Sequence, residues 1–226
     1  MNATNLSQFL DSGKVPAFFE QIGKKVKFKK GEVIIFADEP IKDIYFILKG
    51  KAKQYILSEE GRERILFILK PGDIVGDISM FEQREAGFYV EAIENLDLIH
   101  LTLSDLQESM RKYPEFNLYI LSSLSKKARN LVDQLEDTCF KDAETRVCDL
   151  LIKLAFYEGK MDKDSPRITF RTSQQFISDM LGLNRITTVK IIKNLRMMGL
   201  LDVKGTKYNK RPFLVGNVCH KRLLVF

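Results

Sequence analysis

From Lys24 onward the chain falls into short apolar runs. Val26–Phe28, Val33–Phe36, Ile44–Leu48, Ala52–Leu57, Ile65–Leu69, Phe88–Ala92 and Leu96–Leu103 each read as a strand. Turn residues separate them: Gly31, Asp38-Glu39-Pro40, Gly50, Glu60-Gly61 and Pro71-Gly72. Strands at this spacing predict an all-β roll or barrel, an architecture whose interior is either packed solid or holds a small ligand. Ahead of it, residues 4–22 suggest one or two short helices, around Leu6–Leu10 and Pro16–Ile22. Behind it the period lengthens. Leu101–Lys112 reads as a helix capped by Ser104, and Pro114 opens a longer one that runs to about Thr138.

The long helix carries a narrow apolar seam. Leu121, Leu124, Ala128, Leu131, Leu135 and Thr138 recur at steps of three and four, and Ser122, Ser123, Lys126, Arg129, Asp133 and Glu136 occupy the other faces. A helix covering the roll would also show one stripe. A heptad seam this narrow, on a helix that joins two domains, favours a parallel partner helix and hence a homodimer. Cys139–Asp142 reads as a hinge. Ala143–Tyr157 follows as a helix with Val147, Leu150, Leu151, Leu154 and Ala155 inward, then a polar loop Glu158–Pro166 and a short strand Ile168–Phe170.

Two amphipathic helices then meet at a turn. The first runs from Ser173 to Leu181 with Thr172 or Ser173 as its cap, and Gly182 permits the left-handed conformation that stops it. The second starts at Asn184 or Arg185 and buries Thr188, Ile191, Ile192 and Leu195, with Leu183 plugging the crevice between the two. Its outer face reads Arg185, Ile186, Val189, Lys190 and Lys193. This is the outline of a helix-turn-helix, whose second helix lies in the DNA major groove. Gly199–Val203 reads as a strand that turns through Lys204-Gly205-Thr206-Lys207 and returns as Pro212–Val215, a wing with Lys204, Lys207, Lys210 and Arg211 at its tip.

Charge sharpens the picture by its placement. Residues 1–103 hold 14 basic and 16 acidic side chains, residues 104–141 hold 6 of each, and residues 142–226 hold 16 basic and 8 acidic. The positive field coincides with the helix-turn-helix, as an electrostatic footprint on a phosphate backbone requires. The three cysteines, Cys139, Cys148 and Cys219, lack a paired spacing and suit a reducing compartment. Neither a signal peptide nor a membrane span is visible, so a cytoplasmic protein is expected. Two histidines, His100 and His220, cannot supply a cupin-like metal centre, so neither catalytic nor metal-binding residues are assigned. Strand alternation sets His100 opposite Ile99 and Leu101, as a packed or surface residue.

A β-roll, a long helix, a hinge and a winged helix-turn-helix, in that order, resemble the bacterial regulators of the cAMP receptor protein and fumarate–nitrate reduction regulator (CRP/FNR) superfamily. KPGDIVGDISMF at 70–81, KDAETRVCDLL at 141–151 and LGLNRITTVKIIKNLRMMGLL at 181–201 carry the resemblance. The expected fold is therefore α+β, with residues 1–104 as an effector-sensing roll. Residues 105–141 supply the helices, dimer helix and hinge, and residues 142–226 a DNA-binding domain. The resemblance implies that an effector in the roll shifts the long helices and so reorients the recognition helices on duplex DNA. It implies transcription activation, with RNA polymerase as a further partner and the polar loop at 158–166 in the contact position.

On the family pattern Arg185, Ile186 and Lys190 take the base-reading positions. Arg185 suits guanine O6 and N7, while Ile186 stands where the best-known members carry glutamate and can only touch a thymine methyl. Ser173, Gln174, Thr187 and Lys193 are placed for phosphates, as are Lys204 and Lys207 on the wing. For the effector, Gly76-Asp77 approximates the family's glycine–glutamate pair, with Ile78 and Ser79 following. The arginine–serine pair for a cyclic phosphate falls on Ala86-Gly87, with Arg84 two positions early. A buried phosphate without that arginine lacks its charge partner, which argues against cAMP. The cysteine cluster of iron–sulfur members is absent too. A small-molecule effector of another class remains the expectation. The alternatives are a haem- or redox-based sensor, through His100 or Cys139, and a DNA-binding regulator that needs no effector.

Overall fold

The computed structural model describes residues 22–82, 84–158, 160–161, 168–204 and 207–210. The two compact units comprise residues 1–133 and 134–226. In the first, eight strands among the described residues form two four-stranded antiparallel sheets: β1 (Lys24–Phe28), β2 (Val33–Ile35), β3 (Asp43–Lys49), β4 (Ala52–Leu57), β5 (Glu63–Leu69), β6 (Ile74–Val75), β7 (Tyr89–Ala92) and β8 (Leu96–Thr102). One sheet runs in the order β1-β8-β3-β6 and the other β2-β7-β4-β5. Their facing sides enclose one core. Ile47, Val75, Leu96 and Leu98 come from the first sheet, and Ile35, Ala52, Phe67, Leu69, Val90 and Ala92 from the second.

The first sheet is covered on its other side as well. Ile44, Phe46, Ile74, Ile99 and Leu101 meet Leu106, Phe116, Tyr119 and Ile120 of two helices, α2 (Leu103–Lys112) and α3 (Pro114–Phe140). Burial on both faces is the reason β3 and β8 read as almost continuous apolar runs rather than clean alternations. A short helix α1 (Asp77–Glu82) follows β6; neither is marked by the apolar pattern, since β6 is two residues long. The cap of α2 differs from expectation. Thr102, not Ser104, accepts from Asp105 N, while the Asp105 carboxylate accepts from Thr102 N at 2.9 Å, a reciprocal box that Ser104 starts too late to form.

Helix α3 carries two stripes. Phe116, Tyr119, Ile120 and Leu124 pack on the roll, whereas Leu118, Leu121, Leu131, Val132 and Leu135 are exposed. Leu124, placed in the seam from sequence, is thus shared with the chain's own core, and Ala128 is exposed like its neighbours along the seam.

In the second unit, α4 (Ala143–Glu158) starts after a two-residue break. Asp142 Oδ1 caps it by accepting from Thr145 N at 2.7 Å. Lys141 Nζ straddles the break, 2.7 Å from Asp137 and 2.6 Å from Asp149. Strands β9 (Lys160–Met161), β10 (Ile168–Arg171), β11 (Leu201–Lys204) and β12 (Lys207–Lys210) make an antiparallel sheet in the order β11-β12-β10-β9. Helices α5 (Gln174–Leu181) and α6 (Arg185–Met197) pack with α4 and this sheet around Val147, Leu151, Phe170, Ile177, Ile192, Leu195 and Tyr208. The wing is tighter than expected. Its return strand is Lys207–Lys210, with Val203 opposite Tyr208. Tyr208 is fully buried and stacks on Phe170, so it fixes this register. The expected return at Pro212–Val215, the N-terminal helices at 4–22 apart from Ile22, and Arg211 lie outside the described residues.

Candidate DNA interface and effector site

Helix α6 is held from behind and bare in front. Thr188, Ile191, Ile192 and Leu195 are buried, as the sequence predicts, and Arg185, Ile186, Val189, Lys190 and Lys193 are exposed. Ile186 is 64% exposed, a large apolar side chain outside the buried cluster of the described residues. The Asn184 side chain caps the helix by accepting from Ile186 N at 2.8 Å. Ser173 caps α5 by accepting from Phe176 N at 3.0 Å, and Gly182 ends it at φ 61°, ψ 32°. The turn therefore needs its glycine for a left-handed backbone. Leu183 packs partly against the core.

Among the residues expected at phosphates, Ser173 is exposed, Gln174 and Thr187 are half-buried, and Lys193 is exposed. The first turns of α5 and α6 hold no acidic side chain. Their free amides and dipoles thus add to the positive field rather than meeting an internal anion. Lys204 and Lys207 are paired partners at the end of the β11–β12 hairpin.

The segment expected to meet an effector is built differently from a simple open pocket. Gly76 joins β6 to α1 at φ 89°, and a Cβ there would lie 2.9 Å from Asp43 O, so both conformation and space demand glycine. Asp77, in the first turn of α1, is 1% exposed. Lys127 of α3 reaches it: its Nζ lies 2.5 Å from Asp77 Oδ1 and 2.8 Å from Ile74 O, while Asp77 Oδ2 is buried with no hydrogen-bond partner. Tyr119 Oη, also from α3, donates to Gly72 O. Burial pushes the Tyr119 phenol above its usual range, and burial likewise raises the Asp73 carboxyl. One helix thus grips the 72–77 segment at three points.

The remaining effector candidates form a second strand of contacts. Ser79 is buried and its hydroxyl donates to Ala86 O at 3.3 Å. Ala86 N and Gly87 N donate to Glu39 O and Ala37 O. Ile78 is half-buried and Arg84 is exposed. Lys127 is the functional candidate that the sequence reading passes over. Its signal was its place on the helix, three residues past Leu124 and eight past Tyr119, on the stripe that covers the roll.

His100 sits in β8 with Nε2 3.0 Å from Asp43 Oδ2, packed beside Tyr45. Cys139 is exposed and Cys148 half-buried. Among the described residues no cluster of metal-ligating side chains occurs and no helix is long and apolar enough to cross a membrane.

Residues 25–113 match the cyclic nucleotide-binding domain family, and residues 145–210 match the Crp-like helix-turn-helix domain family. The chain is 25% identical over 198 residues to the CRP-like cAMP-activated global transcriptional regulator of Mycobacterium tuberculosis, covering 88% of each protein. It is 24% identical over 199 residues to the global nitrogen regulator of a Synechocystis species, covering 84% of this chain and 88% of that one. Among solved structures, the c-di-GMP responsive global regulator CLP of Xanthomonas campestris shares the fold with a TM-score of 0.78 at 18% identity, over 93% of this chain and 99% of that one. CprK complexed with OCPA does so with a TM-score of 0.69 at 20% identity, over 87% of this chain and 91% of that one.

Proposed function

The chain belongs to the CRP/FNR superfamily of effector-responsive transcription regulators, and from that premise we propose that it binds a two-fold operator as a homodimer through α6. The observation that carries the proposal is the split character of α6. Four of its residues are locked into the core, and the opposite face presents Arg185, Ile186, Val189, Lys190 and Lys193 to solvent. In this reading Arg185 reads a guanine, Ile186 touches a thymine methyl and Lys190 reaches a base or phosphate. Ser173, Gln174, Thr187, Lys193, Lys204 and Lys207 bind the backbone. The resemblance adds RNA polymerase as partner and activation as the outcome.

The effector site of this proposal comprises Gly76, Asp77, Ile78, Ser79, Arg84, Ala86 and Gly87. Ala86 offers a methyl group where a cyclic phosphate needs a cation, so the effector is a small molecule other than cAMP. Coupling to DNA then runs through the bonds from α3 to residues 72–77, because any ligand that moves this segment changes what α3 rests on. A second reading draws on the same bonds. The Asp77–Lys127 pair already occupies one carboxylate oxygen of Asp77, as a permanent strut would in a regulator that needs no effector.

Selection of bound duplexes from a random pool tests the proposal, run with and without the small-molecule fraction of a cell extract. The expected product is an inverted repeat whose half-site centres lie about 10 base pairs apart. Enrichment of no sequence under either condition would refute sequence-specific binding. Titration calorimetry with cAMP tests the exclusion of that ligand, and saturable binding would overturn it.

A further inference from the structure

Ser178 and Thr188 are buried polar residues in the middle of an otherwise apolar contact between α5 and α6, 2% and 0% exposed. Ser178 Oγ lies 3.0 Å from Thr188 Oγ1. Each hydroxyl also has an acceptor in its own helix: Gln174 O lies 2.8 Å from Ser178 Oγ, and Asn184 O lies 3.4 Å from Thr188 Oγ1. Ser178 Oγ is the donor toward both Thr188 Oγ1 and Gln174 O, and Thr188 Oγ1 donates to Asn184 O, so the one Ser178 proton divides between the partner helix and its own.

That bond is surplus to satisfaction. Without its partner, each hydroxyl would still donate to its own helix's carbonyl, so neither leaves an orphaned buried group. What the bond adds is direction, because an apolar contact tolerates sliding and rotation whereas a hydrogen bond fixes distance and angle. The backbone of Ser178 lies at the same joint. Its carbonyl accepts from Gly182 N and from Leu183 N, the two amides of the turn. Thr188, in turn, is one helical turn after Asn184, whose side chain caps α6 directly before Arg185 and Ile186. Ser178 therefore joins the turn to the second helix at the level of that helix's leading residues.

We propose that Ser178 and Thr188 are positioning residues for base recognition, their hydroxyl bond setting the rotation of α6 against α5 and so the aim of Arg185 and Ile186. The inference rests on the DNA reading above. A bidentate contact to a base edge tolerates a displacement of about 0.5 Å and a tilt of roughly 10–20°, less than an apolar joint allows.

The test uses the full chain and the duplex that it enriches from a random pool, beside a shuffled duplex of the same composition. In the double variant Ser178→Ala/Thr188→Val both hydroxyls are gone together and no polar group is stranded. Its melting temperature should stay close to that of the parent. Its preference for the selected duplex should fall about fivefold or more while its affinity for the shuffled duplex holds. The exchange Ser178→Thr/Thr188→Ser restores two hydroxyls at the joint and should restore the preference. An unchanged preference in the double variant overturns the inference while leaving the DNA reading intact, as does equal loss of affinity for both duplexes accompanied by a lower melting temperature. A parent chain that enriches no duplex removes the DNA reading and this inference together.

Discussion

Lys127 Nζ and Asp77 Oδ1 lie 2.5 Å apart with side chains 9% and 2% exposed, and the pair joins α3 to the start of α1. An ion pair this far from water pays a large desolvation cost, so its partners depend on each other. Lys127→Met leaves the Asp77 carboxylate buried without a cation, and should destabilise the roll by about 3–5 kcal/mol. The double variant Asp77→Leu/Lys127→Met removes both charges and should recover most of that loss. Denaturant unfolding of the four corners of this cycle, followed by circular dichroism, gives the coupling. Additive losses would show that the two residues are independent.

The capping box of α2 gives a pH signature. Hydrogen bonds from the Thr102 side chain and backbone hold the Asp105 carboxyl below its ordinary value of 3.8. The folded chain therefore binds this proton less readily than the unfolded chain. The box contributes fully above that ordinary value, and its contribution is lost as pH falls through the depressed folded value. Thr102→Ala should cost about 1 kcal/mol at neutral pH. Its difference from the parent should shrink in acid, as read from melting curves at a series of pH values. Ser104→Ala, at the position favoured from sequence, should have the smaller effect.

Arg185→Ala tests the recognition face. Arg185 is exposed and makes no contact in the core, so folding should be unaffected. Binding to the selected duplex should weaken by about 1–3 kcal/mol, with base preference relaxed at one position in each half-site. Lys207→Ala should weaken binding to all duplexes alike and reduce the salt slope by about one counterion per site. Competition between single-base variants of the duplex distinguishes the two patterns.

The helix-turn-helix was legible residue by residue because a one-sided amphipathic helix writes its burial into its spacing. Ser173, Gly182, Thr188, Ile191, Ile192 and Leu195 all stand as the spacing predicts. The roll was legible as a set of strands, with ends displaced by one or two residues. Contacts set by tertiary structure were hidden. Lys127 was passed over, because nothing local marks a lysine whose carboxylate partner lies fifty residues away. The strand at Lys207–Lys210 was not expected, because KYNK carries little apolar signal until Tyr208 is seen stacked on Phe170. The pair Gly76-Asp77 was found as a motif, but its engagement by α3 was not, since a motif carries no record of what faces it.

The exposed stripe of α3 supports the proposed homodimer, and its residues are not equivalent as tests. Leu124 is half-buried against the roll's own second core, so Leu124→Asp would disturb that core whatever the assembly state. Leu121 and Leu135 are 60% and 64% exposed and contribute nothing visible to either core. A leucine that leaves water on association gains about 1.5–3 kcal/mol, and two-fold symmetry counts each seam position twice. Leu135→Asp forfeits this and sets two carboxylates near each other across the axis, while leaving the fold of each chain untouched. Sedimentation equilibrium should return a dimer for the parent and a monomer for Leu135→Asp, with matching circular dichroism spectra. A dimer that survives both Leu121→Asp and Leu135→Asp would mean that the chain associates through some other surface.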